Sequence, residues 1–325
     1  MTVLVTGAAG FIGYHVSAAL LARGERVIGV DDLNPYYDVA LKQARLDRLT
    51  GEAGFAFDRL DIADRGALAS ACGDGGVDRV VHLAAQAGVR YSLEDPFAYE
   101  RTNVLGQLEV LELCRHLPRC THLVYASSSS VYGGNTKLPF AEADPVDTPV
   151  SLYGATKKSG ELMAYAYSRL YGLAMTGLRF FTVYGPWGRP DMAAYIFTKA
   201  ILAGAPIQLF NRGDMKRDFT YVDDIVAGVL ATLDHPPAPA GGAAPYRLYN
   251  IGNNRPEPLL RFIEVLEAAI GKKAEVELAP MQPGDVKETF ADISAIQRDL
   301  GFQPSTPIDE GLPRFVAWFR DYHGV

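Results

Sequence analysis

The chain opens Thr2-Val3-Leu4-Val5-Thr6-Gly7-Ala8-Ala9-Gly10-Phe11-Ile12-Gly13, an apolar β-type run followed by glycines at every third position. The residues after it, 12–22, carry a helical pattern. A strand must therefore turn at once into a helix, through a turn made largely of glycine. Such a turn gathers backbone N–H groups at a helix N-terminus, where the helix dipole also favours an anion. The spacing is G-x-x-G-x-x-G, not the G-x-G-x-x-G of the common dinucleotide fingerprint. Three nearby glycines alone mark only a tight turn. Their place between a strand and a helix points to a dinucleotide pyrophosphate, with Gly7, Gly10, Phe11, Ile12 and Gly13 as its expected contacts.

Asp31 follows the second apolar run, 18 residues after Gly13. A carboxylate there accepts hydrogen bonds from an adenosine ribose and repels a 2′-phosphate, which favours NAD over NADP. Asp32 is an equally placed alternative. Asp61-Ile62, at the expected end of the third strand, is a candidate adenine contact or simply a polar strand end.

Short apolar runs at 3–5, 26–30, 55–60, 79–83 and 122–126 alternate with helical stretches such as 12–22 and 103–114. That alternation predicts an α/β fold with a doubly wound parallel sheet of Rossmann type, and residues 176–180 read as its sixth strand. After about residue 183 proline and glycine become frequent, as in Gly185-Pro186-Trp187-Gly188-Arg189-Pro190, and Pro236-Pro237-Ala238-Pro239-Ala240-Gly241-Gly242 reads as a surface loop. The expected organisation is a cofactor lobe over 1–180, to which the chain returns around 217–250, and a smaller α/β substrate lobe over 181–325. A length of 325 residues suits two joined lobes better than one core.

The formal net charge of -7 gives no general attraction for nucleic acid or an anionic membrane, so an anionic ligand needs a local cluster of donors. No apolar run approaches the ~20 residues of a membrane span. The three cysteines, Cys72, Cys114 and Cys120, contain no Cys-x-x-Cys pair. They argue against a disulfide framework or a metal site and for a reducing, cytoplasmic setting.

Tyr153-Gly154-Ala155-Thr156-Lys157 lies at an apparent helix start. Residues i and i+4 share a helix face, so the Lys157 ammonium can approach the Tyr153 phenol or a bound ribose. A nearby cation favours the phenolate and makes tyrosine a usable base. Tyr-x-x-x-Lys alone is a frequent coincidence. Its context is Val124-Tyr125-Ala126-Ser127-Ser128-Ser129-Ser130-Val131-Tyr132-Gly133, which places hydroxyls where an open α/β sheet binds ligands.

These residues resemble the extended short-chain dehydrogenase/reductase family, the NAD-dependent epimerases and dehydratases. The resemblance runs along the whole chain through Gly7 to Gly13, His82-Leu83-Ala84-Ala85, Ser127 to Gly133, Tyr153 to Lys157, Arg179 to Pro186 and Arg217 to Asp224. Within the family, His82-Leu83-Ala84-Ala85-Gln86-Ala87-Gly88-Val89-Arg90-Tyr91-Ser92 and the run from Leu178 to Met192 are most similar to UDP-glucuronate 4-epimerases. The resemblance implies NAD as cofactor, a UDP-sugar as substrate and a homodimer through helices of the cofactor lobe, with 103–114 and 159–171 as candidate surfaces. It implies Tyr153 as general base and Lys157 as its orienter and ribose ligand. Ser128 matches the family's catalytic Ser/Thr position, with Ser129 and Ser130 beside it as further hydroxyls for sugar contact or proton relay. Leu83, Ala84 and Ala85 are implied against the cofactor and Arg90 against the substrate. Arg217 is implied at the pyrophosphate and Asp285 at the uridine ribose; each also reads as a surface ion pair.

The implied reaction is oxidation at carbon 4, turnover of the 4-keto sugar and reduction from its other face, leaving NAD regenerated. Ser129 and Ser130 stand where dehydrating and decarboxylating relatives carry acidic residues, so a base for carbon 5 is lacking. Thr182 stands where hexose epimerases of the family have asparagine. A hexose-nucleotide epimerase, a UDP-glucuronate decarboxylase and a noncatalytic NAD sensor remain the alternatives. Oxidised glucuronate is a β-keto acid, so an epimerase must hold its carboxylate in a nonreactive orientation. Thr182 and Arg189 flank Gly185-Pro186 after the sixth strand and are candidates for that grip. The competing reading pairs Arg189 with Asp191 on the surface.

Overall fold

Val3 and Val5 of the first strand face one hydrophobic core while Leu4 faces another, the two-residue period of a strand buried on both sides. A computed structural model of the chain describes residues 1–73, 76–239, 241–281 and 286–325. Its strands are β1 (Thr2–Thr6), β2 (Arg26–Asp31), β3 (Phe55–Arg59), β4 (Arg79–His82), β5 (His122–Ser128), β6 (Met175–Phe180), β7 (Thr182–Tyr184), β8 (Ile207–Leu209), β9 (Lys216–Tyr221), β10 (Tyr246–Ile251), β11 (Pro256–Pro258) and β12 (Val276–Leu278). The helices are α1 (Phe11–Ala22), α2 (Val39–Thr50), α3 (Ala67–Cys72), α4 (Tyr91–Glu94), α5 (Pro96–Tyr99), α6 (Gly106–His116), α7 (Leu152–Tyr171), α8 (Ala193–Ala203), α9 (Val222–Asp234), α10 (Leu259–Ile270), α11 (Ser294–Leu300) and α12 (Ile308–His323).

Seven strands form one parallel sheet in the order β10-β6-β5-β4-β1-β2-β3. The fold is a Rossmann-type α/β fold, as the alternation predicts, with β10 added beyond the six strands read from the sequence. Because all pairings are parallel, Thr6, Asp31, His82, Ser128 and Phe180 end their strands on one edge of the sheet. The chain leaves β1 for β2 and β3 on one side, then returns to place β4 on the other. The crevice above β1 and β4 is therefore the switch point at which such sheets bind ligands.

A three-stranded sheet, β11-β9-β7, and a two-stranded pair, β12-β8, are built mostly from the second half of the chain. One core cluster runs from Val3 and Val5 through Phe180, Phe219 and Phe262 to Phe315 and Phe319 of α12. The other packs Leu4, Val80 and Leu123 against Val110, Leu111 and Cys114 of α6. The smaller sheets are thus packed onto the larger one rather than tethered to it.

Two boundaries differ from the sequence reading in ways that matter. The helix expected from residue 103 begins at Gly106, after a π-helical turn over Glu100–Leu105. The wide turn brings Asn103 onto the β4 side: its side chain accepts from the Gln86 N–H (2.9 Å) and donates to the Gln86 carbonyl (3.0 Å) and the Thr156 hydroxyl (3.1 Å). The third strand ends at Arg59, so Asp61 stands in the loop beyond it and not at the strand end. Among the described residues no helix is long and apolar enough to cross a membrane, and no His, Cys, Asp and Glu cluster could hold a metal ion.

Candidate active site

The turn after β1 is shaped by contacts that exclude side chains. Gly7 has φ +72°, and a Cβ there would lie 2.8 Å from the Ala84 nitrogen; one at Gly13 would lie 2.0 Å from the Gly7 carbonyl oxygen. Helix α1 begins with neither a side-chain cap nor an acidic residue in its first turn, so no carboxylate of its own competes for an anion. At the end of β2 the buried Asp31 accepts from the backbone N–H groups of Leu33 (2.9 Å) and Ala9 (3.2 Å), with the Lys42 ammonium 3.8 Å away. Burial pushes the Asp31 carboxyl pKa up, and Lys42 pulls the other way. Asp32 accepts from the Asn34 N–H (2.8 Å). A glycine cradle that any Cβ would fill, beside a buried strand-end carboxylate, fits a dinucleotide of the NAD type.

Helix α7 presents the reactive side chains. Its first residue follows Ser151, whose hydroxyl caps the helix by accepting from the Gly154 N–H at 3.0 Å. Gly154 passes so close to the turn after β5 that an added Cβ would lie 2.5 Å from the Ser130 carbonyl oxygen. The Tyr153 phenol lies close enough to the Ser128 hydroxyl for that hydroxyl to favour its ionised form. One turn on, Lys157 donates to the Ala126 carbonyl at 3.0 Å.

Burial raises the Tyr153 pKa, while the Ser128 hydrogen bond and the Arg189 charge pull it back. The sequence reading leaves the Lys157 ammonium free to approach the phenol or a bound ribose; its Nζ donates to the Ala126 carbonyl, and burial lowers its pKa to about 8. His82 lies buried nearby with its pKa pushed down to about 3, by burial first and by Lys157 second, so it is a neutral partner of the Thr6 hydroxyl at 2.7 Å.

The four serines separate. The Ser127 hydroxyl donates to Glu161 (2.7 Å), which is gripped on both oxygens by Arg179 at 2.8 and 2.9 Å. Ser127 therefore belongs to a buried ion-pair network. Ser128 accepts from the Ser130 N–H at 3.2 Å.

One cavity of about 1120 Å³ joins all of this. Its walls include Gly7, Gly10, Phe11, Ile12, Gly13, Asp31, Asp32, Asp61, Ile62, Leu83, Ala84 and Ala85. Ser128, Ser129, Ser130, Tyr153 and Lys157 line it too, as do Arg90, Thr182, Arg189 and Arg217. Asp285 lies outside the described residues. Asp61 also pairs with Arg101 at 2.8 Å. Arg189 does bind Asp191, but in the cavity wall and not on the outer surface. The Arg90 guanidinium stands 4.5 Å over the Phe210 ring, and Arg217 donates to the carbonyls of Lys216 (2.8 Å) and Lys287 (3.1 Å). Next to Arg217, the buried Asp218 accepts from the N–H groups of Asn253, Asn254 and Ala291, which fixes β9 against its neighbours.

Sequence reasoning passed over Tyr36, Tyr37 and Lys42, which also line the cavity. The signal was the pair of tyrosines in Asn34-Pro35-Tyr36-Tyr37, a loop placed directly after the acidic pair.

Known proteins share this arrangement. An uncharacterized 37.6 kDa protein in cld 5'region of Escherichia coli O111:H- is 53% identical, with 100% of each chain covered. UDP-glucuronate 4-epimerase 4 of Arabidopsis thaliana is 49% identical over 99% of this chain and 76% of its own. The crystal structure of UDP-glucuronic acid 4-epimerase from Bacillus cereus, in complex with UDP-glucuronic acid and NAD, superposes with a TM-score of 0.91. It is 35% identical and covers 99% of this chain and 100% of that one. The model of the NAD dependent epimerase/dehydratase family matches residues 3–252, and the chain belongs to that family.

Proposed function

We propose that the protein is an NAD-dependent isomerase that interconverts UDP-glucuronate and UDP-galacturonate by inversion at carbon 4. The observation that carries this reading is the single cavity in which the glycine cradle, the Ser128–Tyr153 pair and Arg189 meet. Relatives named for this activity, and a neighbour solved with UDP-glucuronic acid and NAD, support it.

NAD, when bound, supplies the reversible two-electron acceptor for carbon 4. Tyr153 takes the proton of the 4-hydroxyl and later returns it, with Ser128 bridging phenol and sugar oxygen. Lys157 holds the nicotinamide ribose and orients Tyr153 through helix α7. Gly7, Gly10 and Gly13, with the N–H groups at the start of α1, take the pyrophosphate of NAD. Asp31 or Asp32 takes the adenosine ribose, Asp61 and Ile62 flank the adenine, and Leu83, Ala84 and Ala85 pack the other wall. Arg90 and Arg217 take the substrate pyrophosphate, and Asp285 the uridine ribose. Thr182 and Arg189 grip the sugar carboxylate. Ser129 and Ser130 offer hydroxyls and no carboxylate near carbon 5, so the β-keto acid is held without a base to divert it.

We divide the chain into a cofactor lobe over 1–180, rejoined by residues around 217–250, and a substrate lobe mainly over 181–325. We also assign a homodimer through α6 and α7, on the strength of Leu162 and Tyr165, which are 58% and 51% exposed one turn apart on α7. Three free thiols suit the reducing cytoplasm. The test is to incubate purified protein with UDP-glucuronate and identify products by NMR. UDP-galacturonate is expected; a UDP-pentose as main product, or turnover of UDP-glucose in preference, overturns the reading.

A further inference from the structure

The loop after β2 and the segment carrying Arg189 are tied together twice. Arg189 donates from Nε to one oxygen of Asp191 (3.0 Å) and from Nη2 to the other, a two-point fork that fixes the plane of the guanidinium. The same Asp191 oxygen that meets Nη2 accepts from the Tyr36 hydroxyl at 3.1 Å. Burial raises the Tyr36 pKa to about 12, with Asp191 adding to it, so the phenol remains a donor. Burial opposes the Asp191 charge, but Arg189 and Tyr36 hold its pKa below the ordinary value.

Tyr36 is itself firmly seated. Its ring packs on Tyr91, with centroids 4.7 Å apart. Its N–H donates to the Asn34 side chain (2.8 Å), the Asn34 N–H donates to Asp32 (2.8 Å), and the Leu33 N–H donates to Asp31 (2.9 Å). The chain of bonds therefore runs from Asp32 through Asn34 and Tyr36 to the partner of Arg189.

The second tie runs through Arg45, which is fully buried. It donates twice to the Trp187 carbonyl (2.7 and 3.1 Å), and to the carbonyls of Ala9 (3.0 Å) and Gly188 (3.3 Å) and the Tyr37 hydroxyl (2.7 Å). Trp187 has φ +62°, a conformation costly for a side-chain-bearing residue and maintained only where surroundings enforce it. The backbone just before Arg189 is thus held in strain against the cofactor turn.

We propose that Tyr36 and Asp191 are positioning residues that aim Arg189, and that through it they set the preference for a carboxylated sugar over its neutral counterpart. The proposal rests on the reading of Arg189 as the carboxylate ligand. A guanidinium recognises a carboxylate by direction as well as charge, so rotation of the fork weakens the acid sugar selectively. A neutral hydroxymethyl group makes no such demand.

The test measures dissociation constants of UDP-glucuronate and UDP-glucose by calorimetry on the NAD-loaded protein, wild type, Tyr36→Phe and Asp191→Asn. Tyr36→Phe keeps the ring that packs on Tyr91. It is expected to weaken UDP-glucuronate about five- to twentyfold and UDP-glucose less than about twofold, with Asp191→Asn shifting the ratio further in the same direction. A purely structural role for the pair moves both sugars alike and overturns the proposal, as does an unchanged ratio in both variants. Wild-type protein without any preference for the acid sugar instead removes the functional reading on which the proposal stands.

Discussion

Gly154 packs against the Ser130 carbonyl with no room for a side chain, since a Cβ would come within 2.5 Å of the oxygen. The contact sets the height of helix α7 over the end of β5, and hence the reach of Tyr153 to Ser128. Gly154→Ala should push the start of α7 outward and separate the two hydroxyls. A displacement near an ångström at a reacting group costs on the order of a hundredfold in rate. We expect kcat to fall by about that factor with KM little changed. Equal kcat for the variant and the wild type would show that the contact does not position the base.

Tyr153→Phe removes the proton acceptor while retaining the ring, which packs edge-on to Tyr99 with centroids 6.0 Å apart. The expected loss in kcat is about 10²- to 10⁴-fold, with nucleotide-sugar affinity nearly unchanged. Lys157→Ala should weaken NAD binding as well, because the ammonium that donates to the Ala126 carbonyl is also the proposed ribose ligand. Steady-state kinetics and equilibrium NAD titration separate the two effects. Substantial turnover by Tyr153→Phe requires a different base.

Two roles are proposed for Arg189. Its charge pulls the Tyr153 pKa down, and its side chain lines the cavity in which the sugar carboxylate is proposed to sit. Arg189→Ala should therefore move the acid limb of the kcat/KM profile to higher pH, because the phenol loses a stabilising cation. It should also weaken UDP-glucuronate by about ten- to a hundredfold relative to UDP-glucose, the worth of a charge-assisted contact. An unshifted limb with equal losses for both sugars contradicts both roles.

Three histidines with lowered pKa, two of them buried, predict an acid-sensitive fold. Burial pushes the pKa of His82 down to about 3 and those of His15 and His122 down to about 4. In the unfolded chain each titrates near ~6.5. As pH falls below ~6.5 the unfolded chain takes up protons that the folded one refuses, so stability is lost on the way down. Asp218, pushed up to about 6 by burial, opposes this by holding a proton in the folded state between ~4 and ~6, and Asp31, Glu142 and Asp223, also raised by burial, act in the same sense. Each histidine costs roughly 2 kcal/mol by pH 5, and the three together set the direction. Thermal melting should drop between pH 7 and pH 5; a constant or rising Tm contradicts the burial argument.

The parallel sheet was legible because its central strands are buried on both faces and appear as uninterrupted apolar runs, and β1 is the plainest case. The glycine turn was legible because close backbone approach leaves glycine as the residue that fits. The joining loops were less so. Asn103 forces a π-helical turn through bonds to Gln86 and Thr156, residues far away in sequence, and no local pattern encodes them. Tyr36 gains its place from Asp191, 155 positions later, and Arg45 from Trp187. The burial that raises the Tyr153 pKa was not legible either. Helical spacing puts Lys157 on the right face, but the Ala126 carbonyl that claims its ammonium belongs to another element.

The central claim is a closed redox cycle at one carbon, with the hydrogen removed from carbon 4 given back to carbon 4. UDP-glucuronate deuterated at carbon 4, incubated in ordinary water with purified protein and no added NAD, tests it by proton NMR. The expected product is UDP-galacturonate with deuterium retained at carbon 4. Product that carries protium there, or turnover that begins only when NAD is supplied in stoichiometric amounts, is incompatible with a tightly held cofactor returning the same hydrogen.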